Sequence, residues 1–192
     1  MASQSHEHAE HAEHAAHQGN KNAALLIAVL AAALAICEQQ AKRAEISVEA
    51  NAVLAADTWN EYQAKSVRSA MAQDLERVAS TLDPPAEPER AAQREDTLKR
   101  LRSDREHYEN DPKTGKDALA KRAHAFEEVR DHSLERAHTY DNSAAALELG
   151  IVLSTASVIT NARMLLGFAA LMGAVGVILG IFGAVAPELV VF

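Results

Sequence analysis

The chain of 192 residues contains one cysteine, one tryptophan, eight glycines and five prolines. A single cysteine excludes an intrachain disulfide framework and any cysteine-rich zinc module. Aromatic residues make up only 4%, so the bulky side chains that fill the core of an ordinary globular enzyme are missing. Glycine and proline are too scarce for a disordered or turn-rich β chain. There is no Gly-rich phosphate loop, nucleophile elbow or HExxH sequence, so no nucleophile is set beside a base by motif, and the chain reads as a non-enzyme. Alanine is what abounds, at 40 residues. That composition suits long helices that approach closely through small side chains.

Hydrophobicity is segregated along the chain. Residues 1–21 are a tail rich in histidine, glutamate and alanine, with neither the basic start nor the small-residue cleavage site of a secretory signal. From Ala23 to Cys37 every residue is Ala, Leu, Ile, Val or Cys, which predicts a first membrane span over 22–40. A second span is predicted over 144–161, where Ala144 to Thr160 is apolar apart from Glu148 and four hydroxyls that intrahelical bonds can absorb. Residues 164–186 carry no charge at all and are long enough to cross with some tilt. Asn161-Ala162-Arg163 makes the turn between these two spans. Three spans are the economical reading.

Between them, residues 41–143 are charged, with breaks expected near 83–88 and 110–115, where the prolines and Gly115 lie. This predicts one helix of about 60 residues from Lys21, a middle helix over 89–110 covering the tip of a hairpin, and a return helix from about Asp117. The first helix shows two apolar stripes past the membrane. One runs Ile46, Ala50, Val53, Ala64, Val67, Met71, Leu75, Val78, Leu82; the other runs Val48, Ala52, Ala55, Trp59, Tyr62. Two stripes predict contact with more than one partner helix. The return helix shows one seam, Leu119, Ala123, Phe126, Val129, Ser133, Ala137, Tyr140, Ala144, Leu147. The expected fold is therefore all-α: three transmembrane helices and a long antiparallel, coiled-coil-like helical hairpin stalk. Its mixed charges, acidic in balance, argue against a nucleic-acid partner.

Four constellations are candidate sites. His8, His11, His14 and His17 recur every three residues, so on a helix pairs of imidazoles could weakly share zinc or nickel, or titrate together as a pH sensor. Glu148 is the one ionisable residue within a predicted span. It is either an ion or proton site or an interfacial residue paired with Lys42 or bridged by water to Glu38. Gly176 and Gly180 form a GxxxG whose face Ala184 extends, and it suits packing on the other spans or on a second copy equally. Cys37 reads as a small apolar filler and Trp59 as a stalk packing residue. Near the membrane the stalk side carries Lys42, Arg43, Arg130 and Arg136 against Lys21 and Arg163 on the other, which points the stalk toward the cytoplasm.

The stretches NKNAALLIAVLAAALAICE, EANAVLAADTWNEYQAKSVR and AAALELGIVLSTASVIT resemble the bacterial domain-of-unknown-function 4337 family. The resemblance implies a small inner-membrane protein with no established activity, and it supplies no catalytic or binding residues. Two functions are expected from the sequence. One is a non-enzymatic membrane scaffold that meets lipid and either a second copy or a membrane-protein partner. The other is a metal- or pH-responsive sensor or transport accessory using the histidine tail.

Overall fold

The computed structural model describes residues 21–83 and 85–185, and every regular element among them is a helix. In chain order these are α1 (Lys21–Thr81), α2 (Pro88–Asn110), α3 (Lys116–Thr160) and α4 (Arg163–Val185). The ends fall where backbone chemistry requires them. Pro88 opens α2, a position where its missing N–H costs nothing. Between α2 and α3 the Asp111 carboxylate accepts the N–H groups of Lys113 and Thr114, at 2.9 and 2.6 Å, and the Thr114 hydroxyl at 3.0 Å. Those three bonds hold the carboxyl below its ordinary value. A Cβ on Gly115 would lie 2.5 Å from the Asp111 carbonyl oxygen and 2.6 Å from its nitrogen, so only glycine fits the turn. Between α3 and α4, Asn161 takes the left-handed conformation with φ 54°, which asparagine tolerates better than most residues.

α1, α3 and α4 are long and apolar enough to cross a membrane, which marks the chain as a membrane protein. The described residues group into two compact units, one of residues 21–49 with 130–185 and the other of residues 50–129. α1 and α3 each contribute to both.

The first unit is a three-helix bundle. Ala23, Ile27, Leu30, Leu34, Cys37 and Ala41 of α1 turn inward at alternating steps of four and three, and meet Tyr140, Leu147, Ile151 and Val158 of α3. α4 supplies the smallest face, with Ala169, Gly173, Gly176 and Gly183 buried. The large apolar side chains of α4 point the other way: Phe168, Leu171, Ile178 and Ile181 are all more than half exposed. A helix with small residues inside and bulky ones outside suits a bundle whose solvent is hydrocarbon, because close backbone approach replaces the hydrophobic drive between helices.

The second unit is only two helices thick. α1 runs antiparallel first to α3 and then, further along, to α2. Glu61 faces Arg122 at 3.3 Å, and the Lys65 ammonium donates to the Thr114 carbonyl. Beyond that point Ser69 donates to Glu109 at 2.7 Å and Glu76 accepts from Arg102 and Arg105 at 2.5 and 3.2 Å. Arg94 reaches the carbonyls of Ala79, Leu82 and Asp83 at the end of α1. α2 thus continues the return limb instead of covering a tip, and none of its residues is buried.

Two expectations about stripes change. The inward positions of α1 in this unit are Asn51, Ala55, Thr58, Tyr62, Lys65, Ser69, Ala72, Glu76 and Ala79, in steps of four and three. These are mostly small or polar, while the more apolar stripe stays outside. On α3, Val129 is 49% exposed and Arg130 holds the seam position between Phe126 and Ser133. Steps of four then three from Phe126 reach 130 and 133; Val129 lies a step of about 100° off that line.

Candidate interaction surfaces

Two nodes join the three apolar helices. At the first, Gly150 of α3 sits where a Cβ would come within 3.0 Å of Leu30 on α1 and 3.1 Å of the Ala169 carbonyl on α4. At the second, the Ser143 hydroxyl donates to the Gly176 carbonyl at 2.7 Å, and Cys37 Sγ lies 3.1 Å from Ser143 Oγ. A hydroxyl has one proton. With it committed to Gly176, the Cys37 thiol is the donor of the second bond. Cys37 therefore packs as a small core residue and also ties α1 to α3.

Gly176 and Gly180 belong to this second node. A Cβ on Gly176 would meet Leu147 Cγ at 2.7 Å and the Ser143 carbonyl at 3.0 Å, and one on Gly180 would meet Cys37 Sγ and Ser143 Oγ, both at 3.1 Å. Both glycines are used inside the chain. Ala184 does not continue their face: it is exposed, and Gly183 takes the next inward step against Tyr140. Gly150 and Ser143 were missed in the sequence because neither stands in a recognisable pattern. The available signal was the lone glycine of the second span.

The polar residues near the spans separate. Cys37 faces Ser143 and Leu30 faces Gly150, so Glu148 lies level with about residue 32, some 9 Å along the axis from Glu38. Lys42 bonds Glu45 at 2.8 Å and not Glu148. Glu148 and Glu38 are both partly buried. His8, His11, His14 and His17 lie outside the described residues. Among the described residues, no group of three or more His, Cys, Asp or Glu side chains is placed to hold a metal.

In the second unit, Trp59 is the hub of the α1–α3 contact. Its indole N–H donates to Glu127 at 2.9 Å, and the other carboxylate oxygen lies 2.8 Å from His124 Nδ1. The Trp59 ring meets the edges of His124 and Tyr62 with centroids 5.2 and 5.4 Å apart. Further along, Arg102 chiefly holds the Glu76 carboxyl below its ordinary value, and the Ser69 hydroxyl, with Lys116 and Arg105, does the same for Glu109.

Among the described residues of this unit, the outer stripe of α1 is a long exposed apolar row. Val67, Met71, Leu75, Val78 and Leu82 are between 54% and 61% exposed. In this segment they lie about a third of a turn from the inward positions Ser69, Ala72, Glu76 and Ala79. The expected two partner helices are thus only half supplied among the described residues.

No curated protein and no solved structure matches the chain. Residues 19–186 match the family described as Domain of unknown function (DUF4337). That span takes in all four helices and both helix-packing nodes, and the chain belongs to this family.

Proposed function

We propose that the protein is a non-enzymatic integral membrane scaffold that works by helix–helix association. The observation that carries this reading is the outer stripe of α1, a row of apolar side chains on a helix whose inner face is already occupied. A water-facing helix gains nothing from such a row unless another surface covers it. The association would be of coiled-coil type, with the mixed charges of α1 and α2 setting register. Lys42, Arg43, Arg130 and Arg136 favour a cytoplasmic side for the charged unit, in a bacterial inner membrane. The reading is tested by the mass and co-purifying proteins of the complex extracted in mild detergent. A complex larger than one chain, or a stoichiometric partner, is the expected result; a partnerless monomer across detergents overturns it.

A further inference from the structure

The register of the apolar bundle moves Glu148 from the edge of its own span to mid-depth. In α3 it stands only four residues from Ala144, where the apolar run begins. The approaches of Leu30 to Gly150, Cys37 to Ser143 and Leu147 to Gly176 set it level with about residue 32 of α1 and about residue 175 of α4. The first lies within about 3 Å of the midpoint of the run Ala23–Cys37, and the second is at the midpoint of residues 164–186. We infer that Glu148 is a proton-binding site within the membrane, taking up and releasing a proton inside the bundle. This site is independent of the stripe on α1 and of the scaffold reading.

The side chain is partly buried. Its neighbours one turn either way, Ala144 and Ile151, both pack in the core. Glu148 makes no ion pair or hydrogen bond among the described residues. Charges on every helix packed around it are remote. On α1, Glu38 is about 9 Å away along the axis, and Lys42 is about 15 Å away and bonded to Glu45. On α3, Asp141 is about 10 Å away and His138 about 15 Å. α4 has no charge after Arg163, which stands with Lys21 at the far end, about 16–18 Å off. Residues 1–20 and 186–192 join the bundle at its two ends, each about 15 Å or more from Glu148.

The surroundings select a proton over other cations. A metal or sodium ion needs several oxygen, nitrogen or sulfur ligands. The residues level with Glu148 are Ala31, Ala33, Val175 and Gly176, and none of them brings a ligating side chain. A proton needs only the carboxyl itself. An ionised carboxylate at this depth has hydrocarbon where its counter-charge would stand, and intramembrane carboxyls so placed serve as proton sites.

The test is labelling of the full chain in liposomes with N,N′-dicyclohexylcarbodiimide, which dissolves in lipid and reacts with a protonated carboxyl, followed by peptide mass mapping. Glu148 is expected to carry the adduct, and its labelling to fall severalfold as pH is raised from about 6 to about 9, while the exposed Asp74 and Glu95 stay unlabelled. Infrared spectra of the unlabelled protein should show a protonated-carboxyl carbonyl band that weakens over the same range and is missing from Glu148→Gln. Replacing His8, His11, His14 and His17 by alanine should leave both readouts unchanged. Circular dichroism shows that each variant is folded. No adduct on Glu148 together with no band lost in Glu148→Gln overturns the inference, as does an adduct that does not respond to pH. A profile altered by the histidine replacements also overturns it, because the tail would then supply the counter-charge.

Discussion

Ser143 and Ser154 are both fully buried in the apolar bundle, yet their hydroxyls have opposite roles. Ser143 bonds the Gly176 carbonyl and the Cys37 thiol; Ser154 Oγ has no partner among the described residues. Removing a satisfied hydroxyl loses its bonds and leaves the buried Cys37 thiol without its acceptor, whereas removing an unsatisfied one relieves a desolvation cost. Ser143→Ala should therefore destabilise the bundle by about 1 kcal/mol, and Ser154→Ala should be neutral or stabilising. Unfolding in detergent or bicelles followed by circular dichroism compares the two. The glycines of α4 divide in the same way. Gly176→Leu drives a side chain into Leu147 and the Ser143 carbonyl and should cost about 1–3 kcal/mol. A Cβ on Gly167 would meet nothing within 4 Å, so Gly167→Ala should leave stability unchanged or raised, since alanine is the better helix former. Sequence periodicity singles out Gly176 and Gly180 but not the difference between Gly180 and Ala184, which depends on where the neighbouring helices lie.

At the scale of elements, the second unit is held by polar contacts more than by apolar ones. α2 is joined to α1 through Glu76 with Arg102 and Arg105, and through Glu109 with Ser69, while Asp111 closes the turn into α3. All three carboxyls are held below their ordinary values. A carboxyl depressed by folding contributes stability that is complete above its unfolded value of about 4 and is lost as pH falls through the folded value. Acidification below about pH 4 should thus loosen α2 and the 111–115 turn while α4, which has no carboxylate, keeps its protection. Hydrogen exchange corrected for intrinsic rates, compared between pH 6 and pH 3, reads this directly. Equal loss of protection in both segments would show that the polar contacts do not govern the unit. The helix ends in this region were legible beforehand because Pro88, Asp111 and Gly115 act locally. The antiparallel placement of α2 beside α1 was not, because a helix with three large apolar residues carries too weak a pattern to choose its partner.

Across the whole molecule, sequence alone determined that the chain is helical, where the helices break, and which segments are apolar enough to cross a membrane. These properties follow from composition, spacing and backbone chemistry within a few residues of each position, and no distant contact can reverse them. The tertiary structure decided which face of each helix turns inward. In the apolar bundle it turned Ala169, Gly173, Gly176 and Gly183 of α4 inward, against Leu30 and Leu147 of the other two helices, because close backbone approach rewards small residues where lipid is the alternative neighbour. In the charged unit it chose the small and polar row Ala55, Thr58, Ser69 and Ala72 over the stripe from Val67 to Leu82. An apolar row is visible in the sequence; only the positions of the other helices show that none of them packs on it among the described residues.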